Sequence, residues 1–97
     1  MTYEFHPVAE AEHLETVAYY ETRRAGLGAS YLAEFESVLE VICETPNRYP
    51  IEREPDIRRA RMRRFPFTIL FRESEETVQV LAVSHHQRRP SYWITRL

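Results

Sequence analysis

The stretch Arg58–Arg72 constrains the fold of this chain more than any other, because apolar and charged residues alternate along it. Alternation with a period of two predicts β-strands that turn one face toward a core. Most of the charged positions are arginines, which are always ionised and are shaped to pair with phosphate or carboxylate. We therefore predict that the arginines converge into one continuous anion-binding surface. Within this stretch, the strand predicted over Phe65–Arg72 is expected to bury Phe65, Phe67, Ile69 and Phe71.

The charge of the chain is divided between its two halves. The net charge is only −2, yet eleven of the thirteen basic residues follow residue 45, and all thirteen are arginines. A genome rich in G and C would explain the choice of arginine over lysine, but it would not explain this placement. The division predicts an acidic scaffold and a basic surface, and it argues against a protein that coats nucleic acid without specificity.

Length and composition predict a single domain over residues 1–97 in the cytoplasm. A chain of 97 residues with 43% hydrophobic content can form one core. The single Cys43 cannot form an internal disulfide, and no apolar run reaches the roughly 18 residues that a membrane helix needs. The first residues lack the features of a signal peptide. There is no Gly-rich phosphate loop, and the adjacent His85 and His86 would point to opposite faces of a strand. We therefore expect neither a cofactor nor a metal.

The periodicity of the chain predicts an α+β fold, with an antiparallel helical hairpin packed on a mostly antiparallel four-stranded sheet. Residues 46–55 are rich in proline and predict a loop. On the last strand, Val78, Val80 and Ala82 are expected on one face, with Leu81 and Val83 on the other. The expected buried face of the first helix is Val8, Ala11, Leu14, Val17 and Ala18. The predicted elements are strand Tyr3–His6, helix Pro7–Arg24, a turn with a left-handed Gly26, helix Ala29–Glu44, and strands Ile57–Arg64, Phe65–Arg72 and Thr77–His86.

The order of these elements and several local strings resemble the toxins of the RelE/ParE superfamily, from bacterial type II toxin–antitoxin modules. The similarity extends over nearly the whole chain. The strings that carry the resemblance are Val17–Glu21, Gly26–Gly28, Pro46–Pro50, Arg58–Arg72 and Val80–Trp93.

The resemblance implies a toxin that a cognate antitoxin binds and neutralises. The strings are more similar to the ParE side, often called plasmid-stabilisation proteins, which implies growth arrest through contact with DNA gyrase. One alternative is a ribosome-dependent mRNA endonuclease of the RelE type, and another is a non-toxic member that only binds its antitoxin. Whether the protein is an enzyme is left open by the sequence.

The candidate site residues follow from these alternatives. An endonuclease would use arginines to hold phosphate, and His85, His86 or Tyr92 for proton transfer. The two histidines could equally be a half-buried pair bonded to the backbone, so no catalytic residue is assigned. Tyr92 and Trp93 could anchor a partner or fold back onto the domain. The candidates for target binding are Arg61, Arg63, Arg64, His85, His86, Arg88, Arg89, Tyr92 and Trp93. The candidates for antitoxin binding are Arg58, Arg59, Tyr19 and Tyr20.

Overall fold

A computed structural model describes residues 1–97 and has two helices packed on one face of a five-stranded sheet. The strand order is β1-β5-β4-β3-β2, with β1 parallel to β5 and every other pair antiparallel. The predicted α+β class is confirmed. The elements are β1 (Thr2–Phe5), α1 (Pro7–Arg23), α2 (Leu27–Glu44), β2 (Ile51–Arg53), β3 (Ile57–Arg61), β4 (Phe67–Ser74) and β5 (Thr77–His85), with short 3-10 helices at Pro46–Arg48 and Ile94–Arg96.

The sheet has one strand more than the four predicted. Ile51–Arg53 lies inside the proline-rich segment that was expected to be a loop, and it pairs with β3 through an irregular register. Because β2 is three residues long and lies at the edge, the prolines flank it without breaking a ladder.

The turn between the helices depends on two glycines and one carboxylate. Gly26 has φ of 87°, as predicted for a left-handed residue, although α2 begins directly after it. The carboxylate of Glu21 accepts hydrogen bonds from the amides of Gly26 at 2.9 Å and Gly28 at 3.0 Å. An acceptor of this kind satisfies the free amides at a helix N-terminus. Gly28 lies so close to α1 that an added Cβ would be 2.6 Å from the carbonyl oxygen of Val17.

The predicted buried face of α1 is largely wrong. Ala9 and His13 are the buried residues of this helix, whereas Val8 and Leu14 are 48% and 60% exposed. The helix turns His13 inward because its imidazole packs between Phe5, Phe35 and Tyr31, and Nδ1 lies 3.2 Å from the Tyr31 hydroxyl. A bonded imidazole in an aromatic setting is stable inside a core. Val8 and Leu14 stay in solvent, whereas Val17 is half-buried and packs against the core.

Two clusters of buried residues lie on the two faces of the sheet. The larger one includes Phe65, Phe67, Ile69 and Phe71, as predicted, together with residues from α2. The smaller one contains Ile57, Leu70, Leu81, Ala82 and Trp93.

A register shift in β5 corrects the predicted faces of that strand. Leu70 pairs with Ala82 and Phe71 with Val80, so Leu81 is an extra residue in β5. A bulge of this kind changes the phase of the alternation. As a result Val83 joins the larger cluster and Ala82 the smaller one. The phase after the bulge also decides which way the histidines at the end of β5 are directed.

Candidate functional site

The first candidate surface is a cleft between α1 and the end of β5, which we call the α1–β5 cleft. Its volume is about 570 Å³. Four of its residues, Glu12, Thr16, Tyr19 and Arg23, recur every three or four positions and so form one stripe along α1. The polar and aromatic residues that line it are Glu12, Glu15, Thr16, Tyr19, Tyr20, Arg23, Phe67, His85, Arg88 and Tyr92.

The C-terminal tail forms one wall of the α1–β5 cleft. The Arg88 guanidinium lies 3.7 Å from the centre of the Tyr92 ring, and its Nη1 is 3.8 Å from Oε2 of Glu12. Arg96 anchors the end of the tail, since its Nη1 donates to the carbonyl oxygen of Leu81 at 3.0 Å. Burial raises the pKa of Tyr92, and the negative charge of Glu12 adds to the rise.

His85 enters the α1–β5 cleft from the sheet. Its Nδ1 accepts a hydrogen bond from the amide of Gln87 at 3.0 Å, and its ring packs edge-on to Phe67 at 5.1 Å between centroids. A neutral imidazole that accepts at Nδ1 carries its proton on Nε2, so His85 offers a donor to the cleft.

The two adjacent tyrosines of α1 have different environments. Tyr20 packs on Tyr31, Phe65 and Phe67, and burial raises its pKa. Tyr19 is 56% exposed, and Arg23 lies over its ring at 5.7 Å. Tyr19 therefore presents an aromatic surface to solvent at the mouth of the cleft.

The second candidate surface lies on the sheet face that carries no helices, and we call it the open-face row. Arg61 pairs with Thr68, and Thr68 pairs with Ser84, so the three residues lie side by side on β3, β4 and β5. Nε2 of His86 lies 3.2 Å from the Thr68 hydroxyl. The row brings together a guanidinium, an imidazole and two hydroxyls, which are suited to an anion such as phosphate.

The third candidate surface is a groove between α2 and the residues that connect β3 to β4, which we call the arginine groove. Its volume is about 750 Å³. Glu34 accepts hydrogen bonds from the amides of Arg63 and Arg64, which fixes that connection against α2. The residues that line the groove are Glu34, Ser37, Val38, Val41, Arg48, Tyr49, Arg61, Arg63 and Arg64.

The arginines are distributed over three neighbouring surfaces. Arg48, Arg61, Arg63 and Arg64 line the arginine groove, Arg59, Arg61 and Arg88 border the open face, and Arg23 and Arg88 line the α1–β5 cleft. Two of the thirteen, Arg88 and Arg96, are paired with Glu12 on α1. The distribution follows from the elements that carry them, since these arginines belong to α1, to a 3-10 helix, to β3 and its connection to β4, and to the tail.

Other predicted residues take structural roles or remain separate. Arg58 donates to the carbonyl oxygen of Tyr49 at 2.6 Å, and Arg59 contacts Glu52 at 3.3 Å. Trp93 is 3% exposed in the smaller cluster, so the tail folds back and this side chain is not available to a partner. Arg89 is exposed.

The structure also regroups residues that the sequence had separated. Tyr19 and Tyr20 share the α1–β5 cleft with His85, Arg88 and Tyr92, rather than with Arg58 and Arg59. Glu12, Arg23, Glu34 and Arg48 were not predicted. The helical spacing of Glu12 and Arg23 relative to Tyr19 was a usable signal for these two residues. Nothing in the local sequence marks the long-range hydrogen bonds of Glu34.

No helix of the chain has the length and apolar character needed to cross a membrane. Comparison with known proteins found similarity to a family model and to solved structures. A family model described as the ParE toxin of the type II toxin–antitoxin system parDE matches residues 3–90. A solved structure of the chromosomal ParDE toxin–antitoxin system from P. aeruginosa is similar in fold, with a TM-score of 0.75 and 17% identity, over 88% of this chain and 95% of that one. No curated protein matches the chain.

Proposed function

The chain belongs to the family of ParE toxins of type II toxin–antitoxin systems, and we propose that it acts on DNA gyrase in the cytoplasm by protein–protein contact. A cognate antitoxin would neutralise it. The toxin would work without catalysis of its own. The observation that carries this proposal is the α1–β5 cleft, where an exposed tyrosine and two arginines surround a histidine donor.

The composition of the cleft supports protein binding. Tyrosine and arginine are the residue types that contribute most to protein interfaces, because each offers a large contact area together with polar groups. Tyr19 is 56% exposed, and the Arg88 side chain is 49% exposed. Both are therefore within reach of a partner while the tail and α1 hold them in place.

The positions of the proton-transfer groups favour binding over RNA cleavage. His85 is directed into the α1–β5 cleft, whereas His86 bonds to Thr68 on the open face. Although both side chains border the open face, Nδ1 of His85 is bonded to the Gln87 amide and Nε2 of His86 to the Thr68 hydroxyl, so these two nitrogens already have partners. The pKa of Tyr92 is raised by burial, which makes its hydroxyl less suited to proton transfer near neutral pH.

A supercoiling assay with purified gyrase tests the proposal. The wild-type toxin should inhibit supercoiling or trap a cleaved complex. The variant Tyr19→Ala/Arg23→Ala should need at least about tenfold more protein, since two contacts of an interface are removed. The matched control is Tyr3→Ala/Arg24→Ala, two exposed residues of the same types outside the cleft. Unaltered supercoiling at excess wild-type toxin would refute the gyrase assignment.

A ribosome-dependent mRNA endonuclease is the second candidate, and the open-face row favours it. Arg61 and the hydroxyls of Thr68 and Ser84 could hold a phosphate beside His86. Toeprinting on translating ribosomes would detect cleavage. If it occurs, Arg61→Gln and His86→Gln should each reduce it strongly, and Arg53→Gln should not. Cleavage that persists in both variants would exclude the row as the active site.

A third possibility is a family member without toxicity that only binds its antitoxin. Induction of the toxin alone separates the three candidates. A DNA damage response supports the gyrase proposal, whereas translation arrest supports the endonuclease. Growth that is unaffected by strong induction supports the non-toxic alternative.

A further inference from the structure

We propose that the arginine groove is the docking site of one segment of the antitoxin, a segment that is acidic on one side and apolar on the other. The inference rests on the proposed function, because it requires an antitoxin that binds this chain. Beyond the proposed function, it specifies which surface of the toxin the antitoxin occupies and which chemical groups the bound segment carries. It also separates this surface from the α1–β5 cleft, where we place the contact with the target.

The charges of the groove lack counterparts within the protein. Arg48, Arg61 and Arg63 form no ion pair with any carboxylate of the chain. Arg64 contacts Glu34 at 3.3 Å, but its side chain is 70% exposed. Like charges gathered at one groove repel one another, and carboxylates from a partner would relieve this and could bind each guanidinium through two hydrogen bonds.

Glu34 does not neutralise these arginines, because its carboxylate is already used. It accepts from the backbone amides of Arg63 and Arg64, and its side chain is only 10% exposed. Its role is to hold the β3–β4 connection against α2, which aims the arginines outward. The groove therefore keeps most of its positive charge for a ligand.

The apolar part of the groove points to a peptide rather than to a bare anion. Val38 and Val41 are one turn apart on α2 and are only partly buried, and Tyr49 lies beside them. A cavity of about 750 Å³ accommodates several side chains. A nucleic-acid backbone would match the arginines, but it would leave this apolar strip uncovered. A segment with carboxylates on one side and apolar side chains on the other would cover both.

The groove is already ordered before a partner arrives. Arg58 donates to the carbonyl oxygens of Tyr49 at 2.6 Å and Asn47 at 3.5 Å, which fixes the segment that carries Arg48. Glu34 fixes the opposite wall in the same way. Preorganised walls reduce the entropy that is lost on binding, so the contacts contribute more of their energy to affinity.

The test is the affinity of the full-length antitoxin encoded beside this gene, measured by calorimetry over a series of NaCl concentrations. The groove variant is Arg48→Gln/Arg63→Gln, and the control Arg24→Gln/Arg53→Gln removes the same charge from exposed residues elsewhere. The groove variant should raise Kd roughly 10- to 30-fold, as expected from two charge pairs, and should weaken the salt dependence. The control should stay within about twofold of the wild type.

A second variant tests the apolar part of the groove. Val41→Asp places a carboxylate in the lining of the groove. It should also raise the Kd for the antitoxin at least about tenfold, since this charge repels an acidic segment. Val8→Asp, at an exposed valine of α1, is its control. Urea unfolding of each variant verifies that the fold is retained.

Three results would overturn the inference. If the groove variants bind the antitoxin within twofold of the wild type, the groove is not the docking site, although the proposed function stands. If the wild-type protein binds a single-stranded oligonucleotide instead of the antitoxin, and this binding is lost in Arg48→Gln/Arg63→Gln, the groove serves nucleic acid. If the wild-type protein does not bind the antitoxin at all, the proposed function itself fails.

Discussion

Nη2 of Arg96 lies 2.8 Å from Oε1 of Glu12, which joins the last turn of the chain to its first helix. The Arg96 side chain is 9% exposed and that of Glu12 is 26% exposed. The carboxylate oxygen has this contact but no hydrogen bond of good geometry. The pair therefore consists of two charges that depend on one another, and it holds the wall of the α1–β5 cleft in place.

Removal of Arg96 should destabilise the protein more than its position near the chain end suggests. Arg96→Met would leave Oε1 of Glu12 without its partner, with only Arg88 remaining at 3.8 Å from Oε2, and we expect a loss of roughly 2 kcal/mol in the free energy of unfolding. The double variant Glu12→Gln/Arg96→Met should lose less than the sum of the two single variants. Urea denaturation measures all four proteins. Arg89→Met, an exposed arginine of the same tail, is the control, and strict additivity would show that the pair is not coupled.

A methyl group at position 28 should separate the helices of the hairpin. The added Cβ would lie 2.6 Å from the Val17 carbonyl oxygen, which belongs to the backbone and cannot rotate away. We expect Gly28→Ala to cost about 2–3 kcal/mol and to lower the melting temperature by about 10 °C or more.

Gly26→Ala is the comparison for the hairpin, because its Cβ would meet nothing within 4 Å and only the φ of 87° is unfavourable. We expect a cost of about 1 kcal/mol there. Equal effects at the two glycines, measured by thermal unfolding, would contradict the close approach of the helices.

Acid should weaken the fold through His13. Burial lowers the pKa of this imidazole below its ordinary value of 6.5. As the pH falls below 6.5, the unfolded chain binds a proton before the folded one does. The contribution of the neutral His13 to the free energy of unfolding is therefore fully present above pH 6.5 and is lost as the pH falls toward the lower pKa of the folded state.

Denaturant titrations of His13→Gln at several pH values would detect this dependence. The variant should show a flatter profile than the wild type below neutral pH, although its absolute stability is reduced by the loss of aromatic packing. The same substitution at the exposed His86 controls for the removal of an imidazole. A wild-type profile that rises on mild acidification would contradict the direction of the shift.

Loss of the Glu34 carboxylate should loosen the β3–β4 connection. In Glu34→Gln, the side-chain carboxamide has only one acceptor oxygen for the backbone N–H groups of Arg63 and Arg64, and it carries no charge. We expect about 1–2 kcal/mol of destabilisation and faster hydrogen exchange at both backbone amides. Glu36→Gln, on an exposed position of the same helix, is the matched control. Unchanged protection of the two amides would show that Glu34 does not anchor the connection.

Much of the fold could be predicted from the sequence, because local signals are strong. The alternation of Phe67, Ile69 and Phe71 set the buried face of β4, and Gly26 marked the turn. The buried face of α1 could not be predicted, because apolar Leu14 is exposed and His13 is buried. Hydropathy ranks these residues the other way, and only the neighbouring Phe5, Phe35 and Tyr31 reverse the order.

The candidate surfaces were less accessible to sequence reasoning. Residue types identified Arg61, Arg88 and Tyr92, but their distribution over separate surfaces depends on where the chain leaves the sheet. The pairing of Glu12 with Arg96 spans almost the whole chain and has no local pattern. Trp93 was left open between packing and partner contact, and its burial against Leu70 and Leu81 follows from tertiary structure alone.

The extra residue Leu81 has a consequence for the end of its strand. Since it lies upstream of both imidazoles, the same sequence paired without the bulge would exchange their destinations and send His86 toward the helices and His85 toward the bare side. The chemistry offered by each side of this small protein thus depends on one residue that the ladder leaves unpaired.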